Sequence, residues 1–163
     1  MRAVSNTSPL SSLAVIGRLS LLRSQFSEIW IPTAASQELD AHPDPAALAA
    51  IQAAIREKWV QVASPAPSRL LNVLSLHLHR GEAETIALAA ELRAEVVIID
   101  EQEGRQLAAE AGLVVTGVLG ILLRAKQSGH IPALKPEIQV LRHKVHFFIA
   151  PLLEAKVLAA AGE

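Results

Sequence analysis

The sequence contains no cysteine among its 163 residues. Disulfide bonds and zinc sites built on thiolates are therefore excluded, and we expect a cytoplasmic location. No apolar run approaches the roughly 18 residues that a membrane-spanning helix requires. The first residues also lack the basic and apolar layout of a secretory signal peptide. We therefore expect no association with a membrane.

A dominant charge of one sign is also missing. Fifteen Lys and Arg residues nearly balance sixteen Asp and Glu residues, which leaves a formal net charge of −1. Without an overall positive field, any contact with nucleic acid has to use a local patch or a metal ion.

Apolar residues, by contrast, make up 51% of the chain. They indicate either a well-filled core with alanine-rich helices or a helix face buried in a homodimer, and we expect the homodimer.

Two kinds of apolar segment alternate along the chain. Residues 96–99 form a short continuous run typical of a buried parallel strand. Residues 82–92 instead carry apolar side chains at the i, i+3, i+4, i+7 spacing of a helix. Strands separated by helices predict an α/β fold with a doubly wound parallel sheet, in one domain covering residues 1–163. The predicted strands are 2–5, 29–31, 59–62, 96–99 and 113–116, and the predicted helices include 10–16, 70–78, 101–111 and two terminal helices within 136–160 that pack on the core or in an oligomer interface.

Polar and acidic side chains stand where predicted strands end or predicted helices begin. Asn6 follows the first strand, and Glu38 lies in the helix after the second strand. Asp100 ends the buried fourth strand, and Glu82 opens a helix whose buried face fixes its direction. Because right-handed crossovers bring the carboxyl ends of parallel strands to one edge, we expect these four residues to converge. Carboxylates gathered there repel one another unless a divalent cation or a shared proton neutralises them.

This set of oxygen ligands matches what Mg²⁺ requires, namely one or two carboxylates together with water and phosphate oxygens. A bound metal ion activates water and stabilises the charge that develops on a phosphodiester. The pattern therefore predicts an enzyme that uses Mg²⁺ or Mn²⁺ to cut phosphodiesters. Its metal ligands would be Glu38, Glu82 and Asp100, with Asn6 as a neutral fourth ligand.

Each of these residues also has a purely structural interpretation, which for Glu38 is a solvated position on its helix. Asn6 and Asp100 stand where either side chain could cap the following helix. Glu82 and Glu84 lie in a first helical turn, where a carboxylate is favourable to the helix dipole. They are about 200° apart around the helix, so one ion is not expected to contact both, and Glu82 borders the buried face. The secondary candidates are Thr7 and Ser8, whose hydroxyls either cap the turn or position a phosphate, and Glu101, which either contributes to the site or is solvated.

Four segments, in this order, resemble PIN domains: residues 5–10 (SNTSPL), 81–89 (GEAETIALA), 97–101 (VIIDE) and 115–122 (VTGVLGIL). The resemblance covers nearly the whole chain and is strongest to a branch of small prokaryotic PIN-like proteins. It implies a three-layer α/β/α sandwich, often dimeric, with Mg²⁺- or Mn²⁺-dependent ribonuclease activity. Many small prokaryotic PIN domains are toxins held inactive by an antitoxin encoded beside them.

By this resemblance, Asn6 takes the position of the family's first strand-end aspartate, and Glu38 that of the second acid. Glu82 matches the acid that opens the later helix, with Glu84 as a near alternative, and Asp100 matches the aspartate that closes the next strand. Asn6 is the departure, because an amide offers a carbonyl oxygen to a metal but brings no charge and cannot act as a base. Three functions stay open: a ribonuclease, a degenerate PIN-like module that binds RNA or a partner protein without cleavage, and a small-molecule α/β domain of the response-regulator type.

Overall fold

The computed structural model describes residues 1–163, and at its centre five parallel strands form one sheet in the order β3-β2-β1-β4-β5. In the middle of the sheet, Val4 is aligned with Trp30 on one side and with Val97 on the other. The predicted parallel α/β fold is confirmed, and all five strands lie within one or two residues of the predicted bounds. The strands are β1 Arg2–Ser5, β2 Glu28–Pro32, β3 Val60–Ala63, β4 Val96–Ile98 and β5 Val114–Thr116.

Ten helices connect and flank the strands, and two of them differ from the prediction in a way that matters. The first helix begins at Thr7 rather than at residue 10, which places Asn6 at its N-cap position. The helix predicted for residues 70–78 ends at Leu74, after which the chain turns and buries Leu78. The helices are α1 Thr7–Val15, α2 Ser20–Gln25, α3 Thr33–Asp40, α4 Pro45–Arg56, α5 Arg69–Leu74, α6 Arg80–Glu91, α7 Gln102–Glu110, α8 Val118–Gln127, α9 Lys135–Val145 and α10 Pro151–Ala161.

The sheet separates two apolar layers, as in a three-layer α/β/α sandwich. Successive side chains of a strand point to opposite faces, so neighbouring residues of β4 enter different layers. Ile98 packs in the larger layer with α1, α2, α4, α8 and α9. Val97 and Ile99 pack in the smaller layer with α5, α6 and α7.

The two terminal helices differ in how deeply they pack. α9 buries Ile138 and Leu141 in the larger layer. α10 has no buried residue, and its contacts with that layer come from the partly buried Val157, Leu158 and Ala161. None of the ten helices combines the length and the apolar character needed to cross a membrane.

The position of β4 inside the sheet, between β1 and β5, leads to a stability prediction. Val97 on β4 is 0% exposed, whereas Val114 on the edge strand β5 is 64% exposed. We expect Val97→Ala to lower the free energy of unfolding by about 2–3 kcal/mol, because it removes buried methyl groups and leaves a cavity. The matched change Val114→Ala should cost less than about 1 kcal/mol. Urea unfolding of both variants measures the difference, and equal losses would contradict the layered core.

Candidate functional site

The carboxyl ends of β1 and β4, together with α3 and the start of α6, border one polar cleft of about 290 Å³. The Asn6 N–H donates a hydrogen bond of 3.0 Å to the Ile98 carbonyl, so the ends of β1 and β4 lie side by side. No hydrophobic residue lines this space, which we call the acidic cleft. Its lining residues are Asn6, Thr7, Ser8, Ser11, Glu38, His79, Gly81, Glu82 and Glu101.

Asn6 is buried, with 5% of its surface exposed, yet its side chain makes no capping hydrogen bond to α1. Its Nδ2 instead lies 3.5 Å from Glu101 Oε2, a long contact at the limit for a hydrogen bond. The opposite end of the amide, Oδ1, faces Gly81. The capping interpretation of Asn6 therefore does not describe this side chain, which lies across the floor of the cleft.

Gly81, in the first turn of α6, keeps a space open between two oxygen atoms. A Cβ at this position would lie 3.0 Å from Glu38 Oε1 and 3.4 Å from Asn6 Oδ1. The first distance is shorter than almost all contacts that real Cβ atoms make. Because Gly81 has no side chain, Glu38 from α3 and Asn6 from the end of β1 both reach the same small volume.

Glu82 is held by its own helix. Its Oε2 accepts a hydrogen bond of 3.2 Å from the His79 N–H, so the carboxylate covers the N-terminus of α6. Burial raises the pKa of Glu82 above its ordinary value, and the nearby charge of Glu101 raises this pKa further, whereas the hydrogen bond from His79 opposes the shift. The cleft thus holds a carboxyl group that takes up a proton more readily than a solvated glutamate.

The structure corrects the placement of Asp100, which does not line the cleft with Glu38 and Glu82. Glu101, the next residue, lines it instead. The chain is extended at Glu101, with φ −67° and ψ 130°, and adjacent side chains on extended backbone point in opposite directions. The acid that reaches the cleft after β4 is therefore one residue later than the sequence pattern predicts.

Asp100 points to the other side, toward the N-terminus of α8. One of its carboxylate oxygens accepts a 2.8 Å hydrogen bond from the Val118 N–H and fills the space above Gly117. The other oxygen, Oδ2, is buried without a partner. Burial raises the pKa of Asp100 to about 6, with the charge of Glu101 adding to the shift and the Val118 N–H and Arg105 opposing it. Asp100 lines a second, partly apolar cavity, and the nearby Arg105 donates to the Ile99 carbonyl.

Glu84, the near alternative to Glu82, also lies outside the acidic cleft. Its Oε1 accepts a 2.8 Å hydrogen bond from Arg80 Nε, and its Oε2 lies 3.4 Å from the Ala34 N–H at the start of α3. The angular separation of Glu82 and Glu84 around the helix explains this outcome. Glu84 connects two helices, and only Glu82 borders the cleft.

The two secondary hydroxyl candidates, Thr7 and Ser8, do line the cleft, and Thr7 Oγ1 is buried without a hydrogen-bond partner. Sequence reasoning missed Ser11 and His79. Ser11 follows Ser8 by three residues, a spacing that puts both side chains on one face of α1, and this signal was available in the sequence. His79 had no such signal, because its position depends on where the turn before α6 ends.

A model of the PIN-domain family DUF3368 matches residues 2–163. The chain belongs to this family. No curated protein matches it. Among solved structures, a PilT N-terminus domain protein, SSO1118 from the archaeon Sulfolobus solfataricus P2, is similar with a TM-score of 0.50 and 20% identity, covering 77% of this chain and 93% of that one. This likeness supports the fold, and the family in general consists of nuclease-like modules that use divalent metal ions.

The acidic cleft of this PIN domain fits such an ion in its donor chemistry. Carboxylate and amide oxygens are the ligands that Mg²⁺ takes, and the open volume beside Gly81 lies between Glu38 Oε1 and Asn6 Oδ1. No group of three or more His, Cys, Asp or Glu side chains is close enough together to enclose an ion. The cleft therefore offers a few oxygen ligands rather than a closed cage, an arrangement suited to an ion that keeps several waters.

The raised pKa of Asp100 leads to a prediction about stability. Between the ordinary aspartate pKa of 3.8 and the raised pKa of about 6, the folded protein binds more protons at Asp100 than the unfolded chain. The free energy of unfolding therefore falls as the pH rises through this window. We expect Asp100→Asn, which keeps an oxygen for the Val118 N–H, to raise the free energy of unfolding at neutral pH by about 1–3 kcal/mol.

Urea unfolding in metal-free buffer, repeated at several pH values, measures this effect. The variant should lose less stability than the native PIN domain between about pH 4 and pH 6. Asp40→Asn, the same substitution at an exposed residue of α3, is the control and should leave the pH dependence unchanged. The same pH dependence in the Asp100→Asn variant as in the native protein would contradict a raised pKa for the buried Asp100 carboxylate.

Proposed function

We propose that this chain is a ribonuclease that depends on Mg²⁺ or Mn²⁺ and hydrolyses RNA in the acidic cleft. The main support is one feature of the cleft: three carboxylates, Glu38, Glu82 and Glu101, and the Asn6 amide oxygen line a space without a hydrophobic residue. Such a cleft offers no hydrophobic side chain against which an apolar ligand could pack. It suits a hydrated cation together with a phosphate group.

Glu38 and Asn6 would hold the ion, because their oxygens flank the open volume beside Gly81. When bound, the ion supplies an activated water and stabilises negative charge on the phosphodiester. Glu101 adds a third negative charge at the same edge of the cleft. Its Oε2 lies 3.5 Å from Asn6 Nδ2, and the other end of the amide, Oδ1, faces Gly81.

Glu82 is the residue suited to moving a proton. Burial raises the pKa of Glu82 above its ordinary value, so its carboxylate is a stronger base than that of a solvated glutamate. It would take a proton from the attacking water as the new oxygen–phosphorus bond forms and the bond to the leaving oxygen breaks. The leaving oxygen then takes a proton from solvent. Thr7 and Ser8 border the same space and can donate hydrogen bonds to phosphate oxygens.

Replacing Glu38 tests the metal site. We expect Glu38→Gln to lower kcat/KM for a single-stranded RNA by about 100-fold in Mg²⁺ or Mn²⁺, because a neutral amide replaces a charged ligand. Glu84→Gln is the matched control, since Glu84 lies outside the cleft, and it should retain activity within about twofold. Metal affinity, measured by calorimetry, should fall for Glu38→Gln and not for Glu84→Gln.

The neighbouring acids after β4 provide a second control in the same assay. Glu101→Gln should reduce cleavage, whereas Asp100→Asn should leave it close to native, because only Glu101 lines the cleft. If Asp100→Asn loses activity and Glu101→Gln does not, Asp100 is the site residue, as the sequence pattern predicts. Absence of cleavage at any metal concentration in the native protein would overturn the proposed activity.

A second candidate function is a module that binds RNA or a partner protein without cutting. Asn6 supports it, because the first strand-end position carries no charge and the cleft therefore has one negative charge fewer than with aspartate. The lack of three closely grouped ligands supports it as well. The two candidates share the cleft and differ in whether the metal binds tightly enough to act.

Asn6→Asp distinguishes the two candidates. Affinity for hard divalent cations follows the number of charged ligands, so we expect this variant to bind Mn²⁺ about tenfold more tightly than the native protein. If the native chain is an enzyme, the native protein cleaves RNA, and Asn6→Asp cleaves it at a lower metal concentration. If it is a non-cleaving module, cleavage appears only in Asn6→Asp. Unchanged Mn²⁺ affinity would show that Asn6 is not a metal ligand.

The antitoxin partner, the toxin role and the homodimer stay predictions. The homodimer is supported by the exposed apolar side chains around the start of α10, where Phe148 is 85% and Leu152 69% exposed. A toxin role would be supported by a neighbouring gene for a short DNA-binding protein.

A further inference from the structure

His42, which lies outside the acidic cleft, is hydrogen-bonded to Ser11, which lines the cleft. Ser11 lies on the second turn of α1 and lines the cleft. Its Oγ lies 2.7 Å from Nε2 of His42, which stands in the turn between α3 and α4. Both residues are partly buried, and the hydrogen bond connects segments 31 residues apart.

The backbone of Asp44 determines which nitrogen of His42 carries the hydrogen. The Asp44 N–H donates a 3.1 Å hydrogen bond to His42 Nδ1, so Nδ1 uses its lone pair. A neutral imidazole has one lone-pair nitrogen and one N–H. Nε2 is therefore the N–H, and it donates to Ser11 Oγ.

This arrangement is the reverse of a serine nucleophile with a histidine base. A base would need the lone pair on Nε2 and an acceptor for a hydrogen on Nδ1. No carboxylate accepts from Nδ1, which itself accepts from the Asp44 N–H, and the Asp44 carboxylate instead accepts through Oδ1 from the N–H groups of Ala46 at 2.9 Å and Ala47 at 3.0 Å. His42 cannot take the proton of Ser11, which leaves the hydroxyl intact.

The hydroxyl of Ser11 thus accepts from His42 and keeps its own hydrogen for another partner. The structure gives Ser11 Oγ no second hydrogen bond. The cleft needs such donors, since its carboxylates only accept and repel phosphate, and no Lys or Arg lines it. Arg80, the nearest guanidinium in sequence to Gly81, is paired with Glu84.

We propose that Ser11 donates a hydrogen bond to a phosphate oxygen of RNA in the acidic cleft and that His42 is the residue that positions it. The inference rests on the proposed function, because it requires a phosphodiester in the cleft. Ser11 contributes to substrate binding alone, whereas Glu38 and Glu82 serve the chemical step. His42 acts only through Ser11.

Kinetics on single-stranded RNA test the proposal with four variants. We expect Ser11→Ala to raise KM, and the Kd measured by fluorescence anisotropy, by about tenfold with kcat within about twofold, because a hydrogen bond to a charged group is lost. His42→Phe should do the same, and His42→Gln, whose amide N–H₂ can replace Nε2–H, should stay close to native. Ser20→Ala, exposed at the start of α2, is the control.

The double variant Ser11→Ala/His42→Phe should be no worse than Ser11→Ala alone, because both changes remove one interaction. Additive losses, or native binding in Ser11→Ala, would overturn the inference and leave the ribonuclease proposal standing. Nitrogen NMR of His42 gives a readout without RNA, and a hydrogen on Nδ1 would also overturn it. A native protein that neither binds nor cleaves RNA would overturn both proposals.

Discussion

The hydrogen bond from the Asn6 N–H to the Ile98 carbonyl joins the ends of the two central strands, and the rest of the site depends on it. It extends the β1–β4 pairing one residue beyond β1. Asn6 and the residues after β4 are thereby brought to the same edge of the sheet. α3 and α6 then supply Glu38 and Gly81 from the flanking layers. Remote segments form one cleft because parallel strands have to end on the same side.

The three glutamates in the acidic cleft repel one another, and this repulsion affects the pKa of Glu82. The raised pKa of Glu82 reflects burial and the nearby charge of Glu101. Asn6 limits this repulsion, because it places a neutral amide where a fourth carboxylate would stand. Because the amide is neutral, it also attracts a cation less than a carboxylate would. Asn6 therefore lowers both the repulsion within the cleft and its affinity for a metal ion. The hydroxyls of α1 then provide the donors that the carboxylates cannot.

Much of the architecture could be predicted from local patterns. The apolar run at 96–99 and the helical spacing at 82–92 correspond to β4 and α6 with small shifts. Asn6, Glu38 and Glu82 were predicted to converge, and they line one cleft. Asp100 was predicted to join them and does not, because the direction of a side chain after a strand alternates with each residue, and a strand end uncertain by one residue reverses it. Ser11 could have been found from its spacing to Ser8, whereas its hydrogen bond to His42, 31 residues away, could not.

The sequence by itself determined the α/β class, the order of strands and helices, and the supply of oxygen-bearing side chains at strand and helix ends. These follow from periodicity and residue type, which act over a few neighbouring positions. Only the tertiary structure decided that Glu101 and not Asp100 faces the cleft, that Glu84 joins two helices, and that a histidine tautomer directs a serine hydroxyl. Those outcomes depend on distances between segments that are far apart in the chain, and packing alone sets such distances.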